Sequence, residues 1–132
     1  MLRSIAAVAF FCLSTPAFAF SWSVYSDPTI QGYAKASTSR SCLTSDTRAV
    51  LARLEARFGR QQVISTCRPG AVIAGTGRPS QHRYGKAVDF RPNGNRAAIL
   101  AWLRANAKGA VITYASGHIH FDTGGYRYRG RK

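Results

Sequence analysis

Acidic side chains are what this 132-residue chain lacks most: five Asp and Glu face 19 Lys and Arg, a formal net charge of +14. The five are Asp27, Asp46, Glu55, Asp89 and Asp122, so past Glu55 only two carboxylate side chains remain. Such an imbalance favours polyanionic partners. Histidine is scarcer, with His82, His118 and His120 alone. Long apolar runs are missing too. The run from Ile5 to Leu13 is far short of the ~20 residues that a spanning helix needs, so no stable membrane anchor is expected. The 15 arginines and 4 lysines are scattered, with no groove-reading motif and no stacking aromatics in a basic cluster. That argues against a nucleic-acid partner.

The short apolar run is flanked by Met1-Leu2-Arg3 and by the small-x-small site Ala17-Phe18-Ala19. This is the pattern of a secretory signal peptide over residues 1–19, and Cys12 lies in it without a lipobox. A secreted or periplasmic location follows. The remaining 113 residues suffice for one domain with a modest core, expected as a monomer. Loss of Arg3 leaves 18 basic and 5 acidic residues, net +13. In an exported setting the fitting polyanion is peptidoglycan, with the free carboxylates of the cell wall. Cys42 and Cys67 are then an even pair in an oxidising compartment, which reads as a disulfide. The competing reading, two soft metal ligands, is disfavoured by their long spacing.

Residues 20–40, rich in Ser, Thr and isolated aromatics, read as an extended N-terminal arm. Thr44-Ser45-Asp46 offers a cap for a helix whose inner face is Val50, Leu51, Leu54 and Phe58 and which Gly59 closes. Arg48, Arg53, Glu55 and Arg57 form its solvated face. Gln61–Thr66 reads as a strand. A breaker-rich loop follows, with Pro69, Gly70, Gly75, Gly77 and Pro79, and loops of that length are often functional. Lys86–Arg91 reads as a strand, Asn93-Gly94-Asn95 as a turn and cap, and Arg96–Ala107 as a second helix ended by Gly109. Ala110–Tyr114 and Ile119–Asp122 form a hairpin pattern. The order predicts an α+β fold, a small largely antiparallel sheet with two main helices. The domain is expected over residues 41–127, with 128–132 a basic tail.

All three histidines and the last two acids fall in two motifs, Ser80-x-His82-x-x-Gly85-x-Ala87-x-Asp89-Phe90 and His118-x-His120-x-Asp122-Thr123-Gly124. Catalytic zinc commonly takes three His or carboxylate ligands, and His82, Asp89 and one of His118 or His120 would supply them. Strand alternation turns His118 and His120 to one face, so one can ligate while its neighbour touches substrate.

These motifs resemble those of the exported zinc peptidases of the D-alanyl-D-alanine carboxypeptidase superfamily, most closely the murein endopeptidase K-like branch. The resemblance covers Cys42 to Arg127 and implies a hedgehog/D,D-peptidase fold, Zn2+ on His82, Asp89 and His120, and hydrolysis of amide bonds in peptidoglycan stem peptides. It also implies that Arg68, in Ser65-Thr66-Cys67-Arg68, binds a substrate carboxylate or polarises the scissile carbonyl. One departure stands out: many members carry an acid six residues before the third ligand, where this chain has Tyr114. Proton transfer then falls to Asp122 or His118 ahead of Tyr114, unless Asp122 orients His120 instead. The alternative function is a non-catalytic, zinc-stabilised peptidoglycan-binding domain.

Overall fold

A computed structural model of the chain describes residues 37–132. The signal-peptide reading and all but the last four residues of the arm lie outside the described residues. Among the described residues the fold is α+β, a five-stranded mixed sheet with two helices. Helix α1 spans Ser45–Phe58, strand β1 Gln62–Ser65, β2 Ala87–Arg91, helix α2 Arg96–Asn106, β3 Val111–Thr113, β4 Ile119–Asp122 and β5 Arg129–Arg131. No helix among these residues is long and apolar enough to cross a membrane.

Each helix begins where its sequence supplies an acceptor for the first free amides. Thr44 Oγ1 accepts from the Thr47 amide, and Asn95 Oδ1 from that of Ala98 at 3.1 Å. The inner faces, Val50, Leu51 and Leu54 on α1 and Ile99, Leu100 and Leu103 on α2, pack on Val88, Phe90, Val111, Ile119 and Phe121 of the sheet. Since neighbouring residues of a strand face opposite ways, burying Val88 and Phe90 under the helices turns Asp89 to the other face. Ile119 and Phe121 do the same for His120. The helix-free face therefore collects the polar residues of both motifs.

The sheet order is β1-β2-β4-β3-β5. Three pairings are antiparallel, with Asp89 opposite His120 in β2–β4, but β3–β5 is parallel. Residues expected as a tail thus form an edge strand. Arg129 explains their order: its guanidinium donates to the carbonyls of Arg104, Ala107 and Gly109, serving acceptors that the end of α2 leaves free. Correspondingly, α2 ends at Asn106, and Gly109 is not its stop. A Cβ at Gly109 would overlap the Asp122 carboxylate, so the glycine is there for close approach.

The Arg68–Tyr84 loop is tied by a Val72–Pro79 bridge and ends in a single 3-10 turn, Gln81–Tyr84, capped by Ser80. The Cys42–Cys67 disulfide forms as expected. It joins the approach to α1 to the chain leaving β1, and Ser37 pairs with Thr66 and Cys67 through backbone hydrogen bonds alongside it.

Candidate metal centre

Three elements converge on the helix-free face: the 3-10 turn brings His82, β2 brings Asp89 and β4 brings His120. All three are buried, His82 almost completely. His82 Nε2 lies 3.2 Å from His120 Nδ1 and 3.1 Å from Asp89 Oδ2, and His120 Nδ1 lies 2.8 Å from Asp89 Oδ1. A tetrahedral site with metal–nitrogen bonds of about 2.0–2.1 Å sets its ligand atoms about 3.3 Å apart. The triangle has that scale, and its two imidazoles and one carboxylate suit a divalent ion.

The outward ring atoms argue the same way. His82 Nδ1 donates to the Thr66 carbonyl at 2.5 Å, which leaves the Nε2 lone pair facing the triangle. His120 Nε2 donates to Asp122 Oδ2 at 3.2 Å, which frees Nδ1. Each histidine is thus held in the tautomer that can ligate. Asp122 is itself fixed: Oδ1 accepts from the amides of Ala110 and Gly124, at 3.1 and 2.9 Å. Gly85 completes the first motif. Its φ is 66°, and a Cβ there would overlap the Cys42 carbonyl, so only glycine closes this turn against the disulfide strap.

The electrostatics belong to a packed trio. Burial works against the Asp89 charge, but the close approach of His120 and His82 overcomes it and holds the carboxyl far below the usual range. Burial likewise opposes charge on His120, yet its bonds to Asp122 and Asp89 raise its pKa. Without an ion, the two carboxylates favour the imidazolium form of His120; an ion held by Nδ1 would take the place of that proton.

Around the triangle stand the other residues singled out by sequence. Arg68 brings Nη2 to 3.5 Å from Asp89 Oδ2, and its Nε is buried without a hydrogen-bond partner. His118 stands one step beyond the Phe90–Ile119 pair, stacked on Tyr114 with ring centroids 4.0 Å apart and with Nδ1 2.6 Å from Ser116 Oγ. Burial lowers the His118 pKa, partly opposed by Asp89 and aided by Arg91. Burial and the charge of Asp89 raise that of Tyr114 against the pull of Arg68. At neutral pH one is a neutral imidazole that can take a proton and the other a phenol that can only donate one. Asp122, weighed with His118 for proton transfer, is engaged on the outer side of His120.

Sequence reasoning missed Thr66, Ser116 and Arg91. Thr66 acts through a backbone carbonyl, which every residue has and no motif can mark. Arg91 was legible: it stands two residues after Asp89 in the same strand, hence on the same face. No family model, curated protein or solved structure matches the chain, so what the residues can do chemically rests on the His82–Asp89–His120 triangle and its surroundings.

Proposed function

We propose that the protein is an exported zinc peptidase of the D-alanyl-D-alanine carboxypeptidase superfamily, of the murein endopeptidase K-like branch and fold, that cuts amide bonds in peptidoglycan stem peptides. The observation that carries this reading is the buried triangle of His82, Asp89 and His120 with both imidazoles oriented for ligation from outside. Zinc bound there would supply a Lewis acid for an amide carbonyl and lower the pKa of a water toward roughly 7.

The chain's own residues supply the rest. Arg68, its guanidinium beside Asp89, binds a substrate carboxylate or the scissile carbonyl. His118, neutral and held by Ser116, accepts the proton of the attacking water and returns it to the leaving amine. Tyr114 donates a hydrogen bond and stacks on His118 to fix its plane. Asp122 keeps His120 in its ligating tautomer. The basic surface suits an anionic wall polymer, and the disulfide suits an oxidising compartment.

Purified protein is assayed for bound zinc and for release of muropeptides from sacculi, beside His82→Ala. The expected result is near-stoichiometric zinc and hydrolysis in the wild type, and loss of both in the variant. Hydrolysis that persists in His82→Ala, or a wild type that binds no zinc, rejects the reading. A second reading, a zinc-stabilised domain that binds peptidoglycan without cutting it, draws on Tyr114 at a position where relatives of the proposed superfamily often carry an acid. Zinc binding and sacculus retention with no released fragment would select it.

A further inference from the structure

Four carboxylates belong to the described residues, and all are engaged. Asp46 pairs with Lys108, Glu55 with Arg40, Asp122 with His120, and Asp89 lies within the triangle. Of the other arginines among the described residues, only Arg68 has an acidic partner, at Asp89. Two of the unpaired ones, Arg60 and Arg91, line one cavity of about 380 Å3, together with Gln62 and Asn93.

The cavity shares strand β2 with the metal centre. Arg91 follows Asp89 by two residues on β2 and therefore shares its face, and Gln62 is its cross-strand partner on β1. Arg91 also reaches across to the hairpin turn, donating to the Ser116 carbonyl at 3.3 Å. Its charge is felt at His118. Because β1 runs antiparallel to β2, the chain leaves Ser65 toward Ala87 and carries Arg68 to one side of Asp89, while Arg91 lies on the other. Guanidinium groups thus bracket the triangle along the strand direction.

Resting on the peptidase reading above, we infer that the Arg60–Arg91 cavity is a substrate subsite that binds a free carboxylate of the stem peptide, on the side of the metal centre opposite Arg68. Two guanidinium forks with no counterion of their own match a carboxylate better than any neutral group. Gln62 and Asn93 add neutral donors at its edge. The subsite makes the protein selective for peptides whose side-chain or terminal carboxylate is not amidated.

The test titrates zinc-loaded protein calorimetrically with a synthetic stem tetrapeptide bearing free carboxylates, and with the same peptide fully amidated. Wild type is expected to bind the acid form about tenfold or more tightly than the amide. Arg91→Gln and Arg60→Gln are each expected to shrink that ratio, with zinc affinity unchanged, whereas Arg57→Gln, which removes the same charge from the helical layer, leaves it intact. Equal binding of the two peptides, binding of neither, or an unchanged ratio in both cavity variants overturns the inference. Selective binding without cleavage would reject the peptidase reading and leave the subsite standing, and cleavage without selectivity would do the reverse.

Discussion

The imidazole of His82 hangs from the carbonyl of Thr66, Nδ1 to oxygen 2.5 Å, and Thr66 is the residue next to disulfide-bonded Cys67. Beyond the disulfide, the Arg68 amide returns a hydrogen bond to the His82 carbonyl at 3.0 Å. The other half-cystine, Cys42, packs its carbonyl on Gly85 at the end of the same turn. The bond therefore grips the His82 turn from both ends.

Reducing the disulfide with a phosphine, or the Cys67→Ser substitution, is expected to weaken zinc binding about tenfold as well as to lower stability by about 3 kcal/mol. Chelator competition and thermal melts read the two effects separately. A variant that is less stable but binds zinc as tightly as wild type would show that the strap supports the fold alone.

His120 depends on Asp122 for its tautomer, so Asp122→Asn is expected to weaken zinc binding by about 10- to 100-fold. The amide oxygen can still accept from Ala110 and Gly124, which keeps the fold. Gly109→Ala reaches the same carboxylate from behind, since its methyl would displace Asp122; it should lower both melting temperature and zinc affinity. Unchanged zinc affinity in Asp122→Asn would remove Asp122 from the site.

The Asp89–His120 pair makes the metal-free protein pH-dependent in a stated direction. Asp89 has its pKa depressed below the ordinary 3.8, so its contribution is present above that value and lost on acidification. His120 is raised above 6.5, so its contribution is full below 6.5 and fades as pH rises through the elevated value. Metal-free protein should therefore be most stable between about pH 4 and 6.5 as far as these groups are concerned, losing up to about 1.4 kcal/mol per pH unit above it. Zinc affinity should run the other way, rising with pH as His120 gives up its proton. Urea titrations of chelator-treated protein across pH 4 to 9 check the first; zinc titrations over the same range check the second. Flat profiles would contradict the paired arrangement of His120.

Much of the scaffold was legible because its signals are local. Thr44 and Asn95 sit directly before amides that need acceptors, and the 3.6-residue spacing of Val50, Leu51, Leu54 or Ile99, Leu103 marks the buried stripe. Alternation in β2 and β4 similarly separates Val88 and Phe90 from Asp89. What misled was Gly109, a glycine after a helix that reads as a stop but packs against a residue 13 positions later. Arg129 misled equally: a basic residue near the C-terminus reads as solvated, whereas it caps a helix that ended more than 20 residues earlier.

The sequence by itself determined which side chains could meet a metal, since three histidines and two acids are confined to two short motifs in a chain otherwise starved of carboxylates. It also determined that Cys42 and Cys67 had each other as the natural partner. Tertiary structure decided the choice between His118 and His120, because register sets His120 opposite Asp89 and leaves His118 a step outside. It decided the position of Asp122, behind His120 and not before it, and gathered Arg60 and Arg91 around one cavity. Those outcomes depend on strand register, ring tautomers and backbone carbonyls, which arise from contacts between distant parts of the chain and leave no periodic mark in the sequence.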